Sequence, residues 1–269
     1  MQKTEALYQK DASLQTHETT ISSITPVSDL PQDLQTLFKT LESGQPYVVT
    51  TPQTIFHAQG GGQPTDTGSI ILSHSGEEAV FKVHQVRKAD PAILHMGTFT
   101  PADSTLKIGQ EVKQVVDWGS RVLNSRLHTA GHVLGLAIRS LSRTGVLPAD
   151  LKEVKASHYP GAAFVEFQGL IAGDKKSAMQ EKVDELVRQD LDVTIHFWSE
   201  EEAKERCAVV LEGVKGGEEG VRVVEVGGLG SYPCGGTHVQ RLRELGRVVV
   251  RNVKRQKGIS KVSYEVVEA

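Results

Sequence analysis

DWGSRVLNSRLHTAGHVLGLAIRSL, residues 117–141, is the part of the chain from which the architecture of the rest follows. It contains no proline, and its apolar side chains recur three and four residues apart, which predicts an amphipathic helix. His128 and His132 lie four residues apart within it. Residues at this spacing share one face of a helix, so both imidazoles can point at a common centre.

A second pair of side chains, Cys234 and His238, lies in the run SYPCGGTH at residues 231–238. The preceding residues 221–226 have strand character, and the two glycines between the pair allow a tight loop in which thiol and imidazole converge. Three imidazoles and one thiolate make a tetrahedral zinc set. The alternative is a core helix with two incidental histidines and a buried thiol, and residue chemistry alone leaves both interpretations open.

The two motifs together resemble a known editing core. HTAGH followed by SYPCGGTH is similar to the core shared by alanyl-tRNA and threonyl-tRNA synthetases and by the free-standing alanyl-tRNA editing proteins, the AlaX family. The glycine-rich run HAQGGGQPTDTG at residues 57–68 and the lead DW-x-x-R at residue 117 resemble the longer free-standing forms. The resemblance extends from about residue 45 to the end, with no aminoacylation domain before it, so we expect a free-standing editor and not a synthetase.

The resemblance implies a metal and a reaction. We expect Zn2+ to be held by His128, His132, Cys234 and His238. We expect hydrolysis of the aminoacyl ester of mischarged tRNA(Ala), chiefly Ser-tRNA(Ala), with Gly-tRNA(Ala) as a second substrate. No catalytic residue is assigned beyond the metal ligands. Two alternatives are kept: a non-catalytic, zinc-stabilised module that binds tRNA or another partner, and an editor of another mischarged tRNA such as Ser-tRNA(Thr).

Four further side chains are candidates for contact with the substrate. In the relatives a hydroxyl residue on the strand after the helix selects serine, which makes Ser157 the first candidate and Thr129 the second. Gln63, which follows three adjacent glycines, could hydrogen-bond a nucleotide or the ester, and His57 could line the cleft. The alternative for the glycine run is a tight turn in a β-domain.

The distribution of basic residues predicts where tRNA would bind. The formal net charge of −3 does not indicate a nucleic-acid-binding protein. Basic side chains nevertheless dominate residues 241–261, and we predict phosphate contacts from four of them: Arg251, Lys254, Arg255 and Lys257. Arg121 and Arg126, near His128 in the sequence, could contact the acceptor stem. The alternative for the basic run is a solvated face of a C-terminal hairpin.

The order of helical and strand patterns predicts an α+β chain with two domains. Residues 1–24 are polar and are expected to be loose, and residues 30–42 are expected to form a short amphipathic helix. Alternating and apolar segments over residues 25–117 predict a small β-barrel domain that contains the glycine-rich run. Residues 118–269 are expected to form a zinc-dependent editing domain, a two-layer α+β domain with a mainly antiparallel sheet.

Several elements of the second domain can be placed from local patterns. Hairpins are expected over residues 154–167 and 247–267, with turns at adjacent Pro and Gly and at a single Gly. Residues 174–189 predict an amphipathic helix, residues 192–198 a strand, and Ser199 the N-cap of an acidic helix.

Composition and targeting signals are those of an ordinary globular protein. Of 269 residues, 38% are hydrophobic and 23% charged, and no apolar run reaches the roughly 18 residues of a membrane span. The N-terminal residues lack a secretory or transit signal. Only two cysteines occur, so no disulfide framework is expected. We therefore predict a cytoplasmic protein, favour a monomer, and expect neither a membrane nor DNA as a partner.

Overall fold

The computed structural model of the chain describes residues 1–72, 79–209 and 216–268. Helices and strands are mixed, and the sheets are mostly antiparallel, which confirms that part of the predicted fold class. The chain divides into an N-terminal unit, residues 1–60 with 64–121, and a C-terminal unit, residues 61–63 with 122–269.

The N-terminal unit consists mainly of strands. Its elements are β1 (Glu5–Ala6), β2 (Thr16–Thr20), β3 (Ser23–Pro26), α1 (Gln32–Gln35), β4 (Tyr47–Thr50), β5 (Gln53–Thr54), β6 (Gly68–Leu72), β7 (Val80–Ala89), β8 (Ala92–Thr100) and β9 (Glu111–Val116). In the described residues, seven strands form one antiparallel sheet in the order β2-β9-β6-β7-β8-β4-β3. The order ends at β2 and β3, so closure into the predicted β-barrel is not confirmed.

The core of this unit follows from alternation along its strands. In β9, Val112, Gln114 and Val116 are buried while the residues between them are not, as expected for a strand with one face inward. Gln114 is polar but satisfied, because its amide donates to Gln53 O at 3.0 Å and accepts from Ile55 N–H at 2.9 Å. A buried polar group that is fully bonded does not destabilise the sheet.

The N-terminal segment differs from its prediction. Residues 1–24, expected to be loose, include β1 and β2, which pair with β5 and β9. Tyr8 and Ile21 belong to the hydrophobic core of the unit. The sequence gives little sign of this order because β2 reads THETT and is held by backbone hydrogen bonds, which need no apolar side chains.

The helix predicted over residues 30–42 is mostly absent. α1 spans only Gln32–Gln35, and the Thr36 hydroxyl donates to Asp33 O at 2.7 Å where the helix ends. The apolar pattern that suggested a helix is real, since Phe38 and Leu41 pack against a small core cluster. They reach it from irregular backbone, so the spacing alone was misleading.

The C-terminal unit combines helices with two small sheets. Its elements are residues 122–143 of α2 (Trp118–Arg143), β10 (Lys152–Ser157), β11 (Phe164–Gln168), α3 (Lys176–Arg188), β12 (Val193–Trp198), α4 (Glu200–Arg206), β13 (Val221–Val226), β14 (Gly230–Pro233), β15 (Arg247–Gln256) and β16 (Ile259–Val267). The sheet orders in the described residues are β10-β11-β16-β15 and β12-β13-β14.

This unit has one large core, to which both long helices and the four-stranded sheet contribute. Leu134 on α2, Val183 on α3 and Val262 on β16 are fully buried members of it. The two predicted hairpins, the helix α3 and the strand β12 are confirmed. Ser199 caps α4 as predicted, in a reciprocal capping box with Glu202. Among the described residues, every helix is too short or too polar to cross a membrane.

Candidate metal centre

The first half of the site lies on α2. His128 and His132 are one turn apart, 1% and 7% exposed, with ring centroids 5.0 Å apart. Their neighbours Leu127, Val133 and Leu134 belong to the core of the C-terminal unit. The helical period therefore directs both imidazoles inward, as the sequence predicts.

The second half lies on the loop after β14. The Cys234 N–H donates to Arg222 O at 3.0 Å, and the Gly236 N–H lies 3.5 Å from the Cys234 sulfur. A Cβ atom at Gly236 would overlap the ring of His128 and would lie 2.6 Å from Oε1 of Gln63. Glycine at this position is therefore what lets the loop approach the helix.

Four side chains meet where helix and loop approach. Their ligand atoms all lie within 4.8 Å of one another: His128, His132, Cys234 and His238. The Cys234 sulfur is 3.3 Å from Nε2 of His128 and 3.3 Å from Nε2 of His238. Bonds of about 2.0–2.3 Å to a tetrahedral zinc would separate sulfur and nitrogen ligands by about 3.5 Å. The cluster therefore fits an ion of this size and could hold a metal.

The protonation chemistry of the donors also suits a cation. Burial lowers the pKa of His132 to about 3, so its imidazole is neutral, the form that binds metals. Nδ1 of His132 is buried and has no hydrogen-bond partner in the described residues. Burial raises the pKa of the Cys234 thiol. A bound cation would stabilise the thiolate that burial disfavours.

Gln63 fixes the orientation of His128. Its Oε1 lies 2.7 Å from Nδ1 of His128 and accepts from the Thr237 N–H at 2.9 Å, while its Nε2 donates to the Thr237 hydroxyl at 2.8 Å. Because an amide oxygen only accepts, Nδ1 of His128 must carry the proton. Nε2 is left bare and faces the Cys234 sulfur, as a metal ligand requires.

Thr129 holds the imidazole of His238 in a similar way. Its Oγ1 lies 3.0 Å from Nδ1 of His238 and accepts from the Val239 N–H at 3.2 Å. Nε2 of His238 is again the nitrogen nearest the Cys234 sulfur. Two of the three imidazoles are thus oriented through Nδ1 by fully buried polar side chains.

Comparison with known proteins places this arrangement in a family. Residues 1–120 match the family described as tRNA synthetases class II (A), and residues 221–263 match the one described as threonyl and alanyl tRNA synthetase second additional domain. An alanyl-tRNA editing protein AlaX-M of Methanosarcina barkeri is 29% identical over 251 residues, which cover 92% of each chain. AlaX-M of Methanosarcina acetivorans is 30% identical over 215 residues, 77% of this chain and 83% of the relative. The chain belongs to the AlaX family.

The relation to synthetases is narrower. An alanine–tRNA ligase of Alkaliphilus oremlandii is 32% identical over 215 residues, which are 80% of this chain but only 23% of the ligase. The similarity with this ligase is therefore confined to a part of its length, whereas the AlaX-M relatives correspond to this chain over most of theirs.

The four predicted substrate contacts lie in different settings in this AlaX protein. Gln63 and Thr129 are fully buried, and their polar atoms are bonded to the cluster, which favours a supporting role over contact with substrate. Ser157 is half-buried at the end of β10, opposite Phe164. His57 is 2% exposed within the N-terminal unit, where its N–H donates to Asp66 at 2.6 Å.

His158 is a site residue that sequence reasoning missed. Its ring stacks on that of His128 with centroids 4.2 Å apart, and Nδ1 lies 2.6 Å from the Tyr264 hydroxyl. That hydroxyl donates its single proton to Leu127 O at 2.9 Å, so its oxygen accepts from Nδ1–H of His158. Burial lowers the pKa of His158 to about 4, so the ring is neutral with an unprotonated Nε2. Gly131 in HTAGH was the available signal, since a Cβ there would lie 2.7 Å from Nδ1 of His158.

Tyr232 and Glu153 form a second missed pair, beside His132. The Tyr232 ring packs on the imidazole of His132 with centroids 4.3 Å apart, and its hydroxyl is hydrogen-bonded with the Glu153 carboxyl. Burial raises the pKa of Glu153 to about 7, although the Tyr232 hydroxyl opposes that shift. Glycine again makes room, because a Cβ at Gly135 would lie 2.5 Å from the Tyr232 hydroxyl.

The predicted tRNA contacts divide into surface and interior residues. Four are exposed on the hairpin of β15 and β16: Arg251, Lys254, Arg255 and Lys257. Arg126 is half-buried and donates to the carbonyls of Leu245 and Val267. Arg121 is 1% exposed and paired with Asp66 inside the N-terminal unit, so the prediction that it contacts tRNA is corrected. Its role is to neutralise a buried carboxylate.

Proposed function

We propose that this AlaX protein is a trans-editing hydrolase that removes the amino acid from mischarged tRNA(Ala), chiefly Ser-tRNA(Ala) and secondarily Gly-tRNA(Ala). The observation that supports it most is the convergence of His128, His132, Cys234 and His238, with two of the imidazoles oriented by Gln63 and Thr129. Relatives over most of the chain carry the name alanyl-tRNA editing protein.

We propose zinc as the metal, because three imidazoles and one thiolate are ligands of borderline softness and their ligand atoms all lie within 4.8 Å of one another. When bound, zinc supplies Lewis acidity toward an ester carbonyl or a water molecule. The protein residues supply orientation: Gln63 and Thr129 present Nε2 of their histidines, and His158 offers a bare Nε2 as a hydrogen-bond acceptor beside His128.

The preference for serine follows from what a synthetase cannot exclude. A pocket built for alanine rejects a substrate with one added hydroxyl by only about a hundredfold. A second site that prefers serine must therefore hydrogen-bond that hydroxyl. Of the two hydroxyl candidates, Thr129 is already bonded to His238 and Val239, whereas Ser157 is half-buried next to His158. Ser157 remains the proposed contact.

The hydrolase proposal is tested with metal-ligand variants and a matched control. His128→Ala and Cys234→Ala should each abolish release of serine from Ser-tRNA(Ala), while circular dichroism shows a folded chain. Cys207→Ala is the control, because Cys207 is the other cysteine and is buried in a separate small core cluster. Wild-type turnover in both ligand variants would refute the proposal. Binding of tRNA with no hydrolysis by the wild type would select the non-catalytic module.

A panel of charged tRNAs tests which amino acid and which tRNA the protein prefers as substrate. We expect release from Ser-tRNA(Ala) to exceed that from Gly-tRNA(Ala), and both to exceed release from correctly charged Ala-tRNA(Ala). Ser157→Ala should reduce the ratio of serine to alanine release by roughly tenfold, because about 1–3 kcal/mol is lost when one buried hydrogen bond is removed. Faster release from Ser-tRNA(Thr) than from Ser-tRNA(Ala) would instead identify an editor of threonyl-tRNA errors.

The metal is identified separately from the activity. Elemental analysis should find about one zinc per chain, since one four-ligand cluster fits one ion. Chelation should lower the melting temperature, because zinc that binds only the folded chain stabilises it. Cys234→Ala should reduce the zinc content and remove most of the effect of the chelator. An iron or copper content above that of zinc would refute the metal assignment.

The sequence and the family membership are the basis for several further proposals. We propose that Arg251, Lys254, Arg255 and Lys257 contact tRNA phosphates, with a weaker contribution from Arg126. The domain limits at residues 25–117 and 118–269, closure of the β-barrel, a monomeric state and a cytoplasmic location stay predictions.

A further inference from the structure

A cavity of about 580 Å³ lies in the C-terminal unit, along the C-terminal half of α2. Sites of roughly 300–1,000 Å³ hold ligands of drug or cofactor size. Tyr232 lines the cavity and also packs on His132, so one side chain separates the cavity from the candidate metal centre.

The lining changes in character from the interior to the surface. Tyr232 and Glu153, hydrogen-bonded to each other, lie at the interior end. Arg143 and Lys152 are exposed lining residues and mark the solvent end, and Arg139 is a half-buried lining residue that donates to Ala208 O. A buried acceptor at one end and cations at the other suit a ligand that carries a hydrogen-bond donor and a separate anionic group.

The walls between the two ends are apolar. Ile138, Leu151 and Phe167 line the cavity, and Ile138 and Phe167 belong to the core of the unit. Ser142 also lines the cavity.

We propose that the cavity binds a nucleotide, with the base between the apolar walls and the phosphate among the cations at the surface. The Glu153 carboxyl would accept a hydrogen bond from an exocyclic amino group of the base, as carboxylates do from cytosine N4. Adenine also carries such a group, and uracil does not. The cavity would therefore favour adenine or cytosine over uracil.

The source of the nucleotide is either a free nucleotide or the 3′ end of tRNA. This second source rests on the proposed function. The last three nucleotides of tRNA are C, C and A, and each carries an exocyclic amino group. A cavity one side chain from the metal centre would then hold one of these nucleotides while the ester lies at the metal.

The test is a titration of the zinc-loaded protein with AMP, CMP, UMP and inorganic phosphate, followed by calorimetry. AMP or CMP should bind about tenfold more tightly than UMP, because UMP lacks the amino group that would donate to the Glu153 carboxyl. Glu153→Leu should bring the affinities for AMP and UMP close together. Arg143→Ala should weaken all three nucleotides by a similar factor. Arg188→Ala, at an exposed arginine of α3 outside the cavity, should change none of them.

The outcomes separate this inference from the proposed function. Equal affinity for AMP and UMP, no saturable binding of any nucleotide, or binding unaffected by both cavity variants would overturn the inference. Nucleotide binding that competes with hydrolysis of Ser-tRNA(Ala) would identify the tRNA 3′ end as the source, and binding without competition would identify a free nucleotide. Nucleotide binding in a protein that hydrolyses none of the mischarged tRNAs would uphold the site and refute the hydrolase.

Discussion

Individual buried polar side chains hold the metal-binding residues of this AlaX protein in place. Gln63 supports His128, Thr129 supports His238, and the Tyr232 ring packs on His132. Supports of this kind set which imidazole nitrogen is bare and where it points, and their loss typically weakens a metal site 10–100-fold. The ligands alone therefore do not account for the site.

Gln63→Leu tests this at the level of one residue. Leucine has a similar volume but cannot bond Nδ1 of His128 or the Thr237 N–H, so the imidazole loses its fixed orientation. We expect zinc affinity to fall by about 10–100-fold, measured by competition with a chromogenic chelator. Gln59→Leu, at an exposed glutamine in the same glycine-rich run, should leave the affinity unchanged. An unchanged affinity in the first variant would exclude the supporting role.

Among the elements, α2 supplies two of the four metal-binding side chains, and two glycines on it leave room for neighbouring polar side chains. Gly131 and Gly135 lie one turn apart on it, and each faces a pair of polar side chains from distant segments: His158 with Tyr264, and Glu153 with Tyr232. Glycine within a helix costs about 1 kcal/mol relative to alanine on an exposed face. Here the missing methyl groups admit two hydrogen-bonded pairs beside the histidines.

Gly131→Ala should therefore destabilise the protein, although alanine is the better helix former. Its Cβ would lie 2.5 Å from Cε1 of His158 and 2.7 Å from the Tyr264 hydroxyl, so one of them must move. Overpacking of this kind costs about 1–3 kcal/mol. Gly119→Ala in the first turn of the same helix meets only Asp117 at 3.7 Å and should be neutral or stabilising by up to about 1 kcal/mol. Urea unfolding of both variants measures the difference, and equal effects would refute the packing explanation.

Each of the two units contains a buried histidine whose pKa is lowered by burial. His158 in the C-terminal unit and His95 in the N-terminal unit each have a pKa lowered to about 4, in both cases by burial. The His95 ring is satisfied in its neutral form, since Nδ1 donates to Val49 O at 3.0 Å and Nε2 accepts from the Thr54 hydroxyl at 2.7 Å. Protonation of either ring would place a charge in a buried site.

Stability should consequently fall in mild acid. The unfolded chain binds a proton at each histidine near pH 6.5, whereas folded His95 resists it until about pH 4. Its contribution is thus fully present above about pH 6.5 and is lost as pH falls toward 4, by up to roughly 3 kcal/mol. His95→Gln should flatten the pH dependence of unfolding, measured in urea between these limits. His17→Gln, a half-buried histidine of the same unit, should follow the wild-type curve, and an equally steep His95→Gln curve would contradict the assignment.

The sequence was sufficient to predict features that depend on a local period or on a short motif. The helical period of α2 placed His128 and His132 on one face, the glycines of SYPCGGTH allowed the loop, and alternation gave most strands of the C-terminal unit. These signals hold because a helix or hairpin is set by residues within a few positions of one another. The same signals failed for residues 30–42, where distant core contacts outweighed a helical spacing.

The partners of the cluster depend on the folded chain instead. Gln63 meets Thr237 across 174 positions, and His158 meets Tyr264 across 106. The sequence suggests that Arg121 is a cation available to bind tRNA, whereas in the structure it is buried in an ion pair with Asp66. No local pattern encodes such pairings, because each hydrogen bond requires that segments distant in the sequence bring two particular atoms within about 3 Å of each other. The motifs HTAGH and SYPCGGTH identify the metal-binding residues. The orientation of these side chains, and the cavity beside them, depend on packing between segments that are distant in the sequence.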